Sequence, residues 1–186
     1  MSVETIVVQN ADGTANTAGT RASAINAASR IVLPNSFFYI GRVISFLLGG
    51  RISSVITTPG TARYDICMGS AGTTIVWDSL PILLDTVAAH TTVKWSLNVV
   101  LRCVAVGTGT STTFFPSLAQ WTSEDILGVP ATAPKGVLTA MLPWNTTPAV
   151  GAGMDNTAAS ALDVFFTQTV ATGSHTVHDY MVQVLN

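Results

Sequence analysis

The chain has 186 residues, a length that suits a single domain with a sizeable hydrophobic core. Only 10% of the residues are charged and 48% are hydrophobic, whereas about 25% are charged in a typical soluble domain. The net charge of -2 excludes the basic footprint of a nucleic-acid-binding protein, and the plentiful apolar residues exclude a disordered chain.

The N-terminal region differs in composition from the rest of the chain and predicts an extended arm. Residues 5–8 read as a short strand, and residues 10–29 are rich in Gly, Ala, Asn and Thr. Such a segment is usually disordered unless another surface holds it, so we expect a sister subunit or a capsid shell to order it. We therefore divide the chain into an N-terminal arm, residues 1–36, and a β-sandwich domain, residues 37–186.

Apolar residues begin to alternate after residue 37, which indicates β-strands. Ile44, Phe46 and Leu48 share one face of the first such segment. The pair Gly49-Gly50 follows directly and predicts a tight hairpin turn between strands at residues 41–48 and 51–56. We thus expect two short antiparallel strands in this part of the chain.

The clearest strand prediction covers residues 95–106, where Trp95, Leu97 and Val99 begin a continuous apolar face that favours a central place in a sheet. Further strands are predicted at residues 62–68, 73–77, 112–121, 136–142, 162–170 and 176–185. Turn signals separate them and no segment has a strong helical period, so we predict an all-β, antiparallel, jelly-roll-like sandwich. The most apolar stretch, residues 37–48, is too short to cross a membrane, and no membrane partner is expected.

The three histidines are the natural candidates for metal binding or catalysis. His175 and His178 are three residues apart, so on a strand their side chains point to opposite faces and do not converge on one ion. His90 lies in a polar segment, which favours a surface or interface position. Cys67 and Cys103 have neither disulfide-framework nor metal spacing and are predicted to be core residues. Without a nucleophile motif, paired acids or a phosphate loop, the sequence predicts no enzyme activity, no cofactor and no metal site.

Large aromatic residues suggest two different roles. They are Trp77, Trp95, Trp121, Trp144 and Tyr180. Exposed together, such rings would form a platform on which sugars stack. Trp and Tyr also fill cores and anchor protein interfaces, and the position of Trp95 on the apolar face of a strand favours this second role.

Four segments of the chain form a pattern that is more specific than composition. They are residues 57–66, which read TTPGTARYDI, the strand at residues 95–103, the stretch WTSE at residues 121–124 and the ending at residues 180–186. Together they resemble a group of small virion structural proteins of tailed bacteriophages, over about residues 37–186. The resemblance implies a jelly-roll-like sandwich, often a homotrimer, that serves as a capsid decoration (cement) protein or as a fibre or spike component.

A surface with few charges is consistent with this class, because the centres of protein interfaces are depleted of charged residues. We therefore expect a non-enzymatic virion protein that binds the outer capsid surface as an oligomer. Its expected partners are copies of itself and the major capsid protein or other virion proteins. The residues expected to make these contacts are Val3, Ile6 and Val8 in the arm and Trp144, Pro148 and Met154 in a loop region.

Two other functions remain open from the sequence. The receptor-binding knob of a head or tail fibre would recognise a host glycan, and we expect exposed tryptophans at its tip. A hydrolase that acts on cell-surface polysaccharide would need paired acids in a groove.

Overall fold

The fold is that of a computed structural model, which describes residues 2–124, 138–143 and 149–185. Within these ranges the chain forms strands and one short 3-10 turn, Ala27–Ser29, and no α-helix. No helix in the described part of the chain is long and apolar enough to span a membrane. The strands are β1 (Val3–Val8), β2 (Ala22–Ser23), β3 (Val32–Leu33), β4 (Val43–Ser54), β5 (Thr61–Met68), β6 (Thr74–Asp78), β7 (Ile82–Leu83), β8 (His90–Ala105), β9 (Thr113–Ser123), β10 (Leu138–Met141), β11 (Ser160–Ala161), β12 (Asp163–Gln168) and β13 (Ser174–Leu185). The all-β prediction is confirmed.

The strands form two main antiparallel sheets. The large sheet has the order β1-β13-β4-β8-β9-β10. The small sheet has the order β2-β12-β5-β6, and β7 also pairs with β5. A separate two-stranded ribbon joins β11 to β3. β8 lies between β4 and β9, which confirms its predicted central place, while the jelly-roll connectivity stays a prediction.

The inner faces of the two sheets pack against each other to form the core. Phe46 on β4 and Leu97 on β8 are fully buried from the large sheet, and Tyr64 on β5 and Phe166 on β12 are fully buried from the small sheet. The alternation predicted for residues 95–106 is therefore real, since its apolar side chains face inward. Each buried side chain of this size contributes roughly 1.5–3 kcal/mol relative to an exposed one.

The predicted hairpin at Gly49-Gly50 is wrong, because both glycines lie in the middle of the continuous strand β4. They lie opposite an irregularity in β13, where Val177 pairs with Gly50 and Asp179 pairs with Gly49, leaving His178 as an extra residue. A β-carbon at position 50 would come within 2.0 Å of the Thr176 carbonyl oxygen. Glycine inside a strand often marks such a bulge or a close backbone approach, and here it allows both.

The N-terminal segment is extended, as predicted, but its own chain orders it. β1 pairs with β13 in the large sheet, and β2 pairs with β12 in the small sheet. Between them, Asn16 exchanges two backbone hydrogen bonds with His175. Ala24 and Ile25 are buried in the shared core. A partner is therefore not needed to hold this segment in place.

A buried histidine joins the two sheets. The imidazole of His175 on β13 stacks on the Phe166 ring at 3.7 Å between centroids and on the Trp95 ring at 4.8 Å. Trp121 Nε1–H donates to the Tyr64 hydroxyl at 3.2 Å, and this hydroxyl lies 3.2 Å from His175 Nε2. Burial lowers the pKa of His175 to about 3, with a smaller effect from His178. The imidazole is therefore neutral at physiological pH.

Replacing Gly50 by Ala is expected to lower the free energy of unfolding by roughly 2–3 kcal/mol, because the new methyl group would overlap the backbone of β13. Gly49→Ala is the matched control, since its β-carbon would meet no atom closer than 3.6 Å, and a change within about 0.5 kcal/mol is expected. Urea unfolding of both variants measures the difference. Equal losses in the two variants would contradict the bulge as the reason for Gly50.

The neutral state of His175 makes a pH dependence testable. Its folded pKa of about 3 lies below the ordinary value of 6.5, so the unfolded chain binds one more proton between these pH values. Stability from this residue is complete above pH 6.5 and declines as the pH falls, by about 1.4 kcal/mol per unit.

The control for this prediction is His175→Phe, which keeps a ring but cannot be protonated. The difference in unfolding free energy between the natural chain and this variant should fall by about 2 kcal/mol between pH 7 and pH 5. Taking the difference cancels the contributions of other titrating groups. Parallel pH profiles would show that His175 is not held neutral by burial.

Candidate assembly surface

The outer face of the large sheet is formed by the side chains that alternate with the core residues. On β4, the buried Ile44, Phe46 and Leu48 point inward, so Val43 and Leu47 point outward. Pairing between strands continues the pattern across the sheet, because directly opposite residues share a face. We call this surface the outer face of the large sheet.

Two neighbouring rows across this face contain no formally charged side chain. The first row runs through Thr5, Gln183, Ser45, Val100 and Leu118. The second row runs through Val8, Met181, Leu47, Asn98, Gln120 and Met141. These rows combine aliphatic, thioether, hydroxyl and amide groups, a composition suited to burial against another protein. Charged residues border them, with Arg102 on one side and Asp179 on the other.

Two of the predicted contact residues lie on this face. Val3 and Val8 are 56% and 63% exposed, and they stand opposite Leu185 and Met181 on β13. Ile6 is partly buried, because an irregularity in β1 between Thr5 and Val7 turns it toward the core. Whether any of the three contacts a partner stays a prediction.

The other three predicted contact residues are Met154, which is buried, and Trp144 and Pro148. Met154 is only 2% exposed and exchanges two backbone hydrogen bonds with Thr112, so it belongs to the core of its own chain and offers no side chain to a partner. Its apolar character gave no sign of this, because core and interface methionines look alike in a sequence. Trp144 and Pro148 lie outside the described residues.

A groove of about 370 Å³ crosses the outer face where Gly49 lacks a side chain. Backbone and side-chain atoms of Val8, Lys94, Ser96 and Asp179 line it. A shallower hollow of about 190 Å³ continues it past Lys94 and Ser96 toward Glu124. The bulge in β13 therefore shapes the surface as well as the backbone. The groove offers hydrogen-bonding groups of both charge signs at its rim.

The outer face of the small sheet has the opposite character, since ion pairs cover it. Arg21 of the N-terminal segment donates to Asp65 Oδ2 at 2.7 Å, and its guanidinium lies 3.7 Å from the centre of the Phe165 ring. Arg63 lies 3.4 Å from Asp65 and forms a two-pronged contact with Asp78. These groups pair with one another within the chain, although Asp65 Oδ1 is buried without a hydrogen bond, and they leave little charge for a partner.

The carboxylates beneath this segment are strongly buried. Burial raises the pKa of Asp65, which the hydrogen bond from Arg21 only partly offsets. Burial likewise raises the pKa of Asp163, although Ser23 donates to it at 2.7 Å and Arg30 lies 3.3 Å away. The network therefore holds the N-terminal segment at a cost in desolvation.

The cysteines and tryptophans have no visible chemical role. Cys67 and Cys103 are buried and free, which confirms their predicted core position. Burial raises the pKa of Cys67 to about 12. The three described tryptophans, Trp77, Trp95 and Trp121, are at most 4% exposed, so they belong to the core and form no sugar platform. Within the described residues, no group of three or more His, Cys, Asp or Glu side chains could hold a metal ion.

The pair formed by His90 and Asp85 is the arrangement closest to a catalytic one. His90 Nε2 lies 2.9 Å from Asp85 Oδ2, and the His90 side chain is only 9% exposed, so it does not lie free on the surface, while the predicted alternative, an interface position, stays a prediction. Burial would raise the pKa of Asp85, but hydrogen bonds from His90 and two backbone N–H groups outweigh it and hold the pKa below its ordinary value. Ser54 stands opposite His90, but its buried hydroxyl has no hydrogen-bond partner. The pair thus organises a loop, and no nucleophile among the described residues is hydrogen-bonded to it.

No protein-family model, curated protein or solved structure matches this chain. Its role is therefore inferred from its own surfaces. Sequence reasoning missed the neutral rows and the ion-pair network, since both arise from strand pairing between distant segments. The only local signal was the unusual scarcity of charge.

Replacing Arg21 by Ala is expected to lower the free energy of unfolding at pH 7 by about 2 kcal/mol, because Asp65 would be left as a buried, poorly compensated charge. This expected loss is smaller than for a fully buried ion pair, because the Arg21 side chain is 34% exposed and water screens its interaction with Asp65. The loss should shrink as the pH falls, since protonation removes the charge on Asp65. Arg102→Ala on the exposed outer face is the control, with an expected change within about 0.5 kcal/mol. Equal losses at pH 7 and pH 4 would contradict this account.

Proposed function

We propose that the chain is a non-enzymatic virion structural protein that assembles with copies of itself and binds a capsid surface as a decoration (cement) protein. The observation that carries this proposal is the uncharged double row on the outer face of the large sheet. A decoration protein reinforces the contacts between neighbouring capsid subunits by burying part of their surface against its own. The resemblance to small tailed-phage proteins supplies the virion context.

The difference between the two outer faces supports assembly through the large sheet. The small sheet carries Arg21, Arg63, Asp65 and Asp78, which already pair with one another. Burying them against a partner would cost desolvation without new ion pairs. The large sheet presents aliphatic and thioether groups whose burial is favourable at roughly 25 cal/mol per Å² of apolar area, before the costs of association, and its neutral polar groups cost less to bury than charges. It is therefore the better contact surface.

The exposed valines extend this surface to the edge of the sheet. Val3 and Val8 are more than half exposed, next to the half-buried Met181 and Leu185. A stable interface buries about 800 Å² on each partner. A six-stranded sheet face with strands about 4.8 Å apart is broad enough to supply an area of that order.

The glycan-binding alternative has less support. It expects tryptophans at an exposed tip, whereas the three described tryptophans are buried in the core. The groove at Gly49 has polar groups such as Lys94 and Asp179 along its lining, but its described lining presents no exposed aromatic ring to a sugar. The groove suits a side chain from a docked protein at least as well.

Immunogold labelling of intact tailed particles tests the virion role. Antibodies against the purified protein should place gold over particle heads, and the added protein should cosediment with particles from which it has been stripped. Gold absent from particles, or stripped particles that keep their full heat resistance, would contradict the proposal.

A pair of variants tests which face binds. Leu47→Lys places a charge in the neutral double row and should weaken particle binding at least tenfold, since an unpaired charge at an interface centre costs more than about 1.4 kcal/mol. Leu83→Lys is the control, because Leu83 is half exposed on β7 of the small sheet. Unfolding midpoints of both variants verify that they remain folded. Equal binding by the two variants would exclude the large sheet as the contact face.

A further inference from the structure

The strand β1 has a free edge. It is the last strand of the large sheet and pairs on one side with β13. No other described strand pairs with it. An edge strand presents unpaired backbone N–H and C=O groups, which form a ready template for another strand.

Lysine and proline, two of the usual protections of an edge strand, are missing from β1. Its sequence, VETIVV, contains no proline and no lysine, and five of its six residues are β-branched. Glu4 is its only charge. Natural edges are commonly blocked by lysine, proline or a covering loop. The bulge at Ile6 and the inward-pointing Glu4 protect this edge in part, and the rest of it is chemically suited to pairing.

The irregularity in β1 determines which side chains share a face. Thr5 pairs with Gln183 and Val7 pairs with Val182, so Ile6 is an extra residue. Val3, Thr5 and Val8 consequently point to the outer face, while Glu4 and Val7 point toward the core side. Without the extra residue, Val3 and Val8 would lie on opposite faces.

This arrangement is self-complementary about a two-fold axis at Thr5. In an antiparallel pair of β1 strands that both keep Ile6 as an extra, unpaired residue, Thr5 would face its own copy, Val3 would face Val8, and Glu4 would face Val7. Every pair then joins side chains on the same face, as antiparallel pairing requires. It also brings together the two valines of β1 that are more than half exposed, Val3 and Val8.

Other alignments of the two β1 strands match their side chains less well. A shift by one residue would oppose outward and inward side chains. A register centred on Glu4 would place two like charges opposite each other, which is destabilising. A register centred on Val7 would leave Val3 beyond the end of the strand pair. The register centred on Thr5 therefore uses β1 best.

We propose that two copies of this chain pair through β1, antiparallel and about a two-fold axis at Thr5, to join two large sheets into one continuous sheet. The partner is a second copy because the register matches β1 with itself. The inference deepens the proposed function and rests on it, since it identifies how copies associate. The joined sheet would present the uncharged rows of both copies on the same side.

Cysteine cross-linking under mild oxidation tests the register. Thr5→Cys should form a disulfide-linked dimer, because directly opposite Cα atoms lie about 4.5–5.5 Å apart in antiparallel pairs, which suits a disulfide. Val8→Cys is the matched control, since two copies of residue 8 would be separated by roughly 14 Å along the strands. Adding Val3→Cys to Val8→Cys should restore the cross-link. The natural cysteines are buried and do not compete.

Light scattering at micromolar concentration tests the association itself. The natural chain should be dimeric, and Val8→Lys should weaken the dimer at least tenfold by placing a lysine at the edge. Val32→Lys is the control, because Val32 is 66% exposed on the separate two-stranded ribbon. Unfolding midpoints of both variants establish that they are folded.

The outcomes separate this inference from the virion role. A monomer, a trimer, or a dimer that Thr5→Cys does not cross-link would overturn the pairing through β1. Equal cross-linking of Thr5→Cys and Val8→Cys would also overturn it, since that pattern reflects random collision. If the protein fails the cross-linking and light-scattering tests but gold still labels particles, the virion role stands without the pairing through β1. If the protein passes these tests but no gold labels particles, only the virion role is refuted.

Discussion

The buried contact between the two sheets at Tyr64 is the interaction on which the rest of the fold depends. Tyr64 comes from the small sheet, while Trp121 and His175 come from the large sheet. The hydroxyl accepts a hydrogen bond from the indole and lies 3.2 Å from the imidazole. Buried polar groups are costly unless they are paired, so this small network fixes how the sheets face each other. The network tolerates full burial because the imidazole of His175 is uncharged.

The distribution of charge follows from the path of the N-terminal segment. This segment leaves the large sheet after β1, passes His175 through Asn16 and then covers the small sheet through β2. Arg21 and Arg30 lie on it and pair with Asp65 and Asp163 below. In a chain with 8 basic and 10 acidic residues, pairs of this kind consume much of the available charge. The two uncharged rows on the outer face of the large sheet exist partly for this reason.

Local patterns in the sequence predicted the strands well but not their partners. The alternation from Trp95 onward reports directly which side chains face the core, and the structure has that strand in the centre of the large sheet. The pair Gly49-Gly50 was wrongly predicted to form a turn, because a glycine pair is a local signal for a turn. The glycines occur here for another reason, a bulge in β13 that is more than a hundred residues away in the chain. Polar His175 gave no sign that it would be buried between two aromatic rings.

The candidate surface was even less visible in the sequence, for a physical reason. A face of a sheet combines every second residue from strands that are distant in the chain, so Val8, Leu47 and Met181 are neighbours only after pairing. Composition showed that charge was scarce but not where it was absent. Val3 and Val8 could be proposed because they lie in one short strand. The sequence could not show that Met154 is buried whereas Val3 and Val8 are exposed, since nothing in the segment around Met154 reveals burial.

The two strand irregularities connect the fold to its surface. The bulge at His178 requires Gly50 and, beside it, leaves space at Gly49 for the groove on the outer face. The extra residue at Ile6 turns that side chain toward the core and returns Val8 to the outer face. Gln9 then donates to the Val177 and His178 carbonyl oxygens, at 3.1 and 3.3 Å, so the end of β1 is fixed against the bulge of β13. The position of the free edge is thus set by the same backbone feature that shapes the groove.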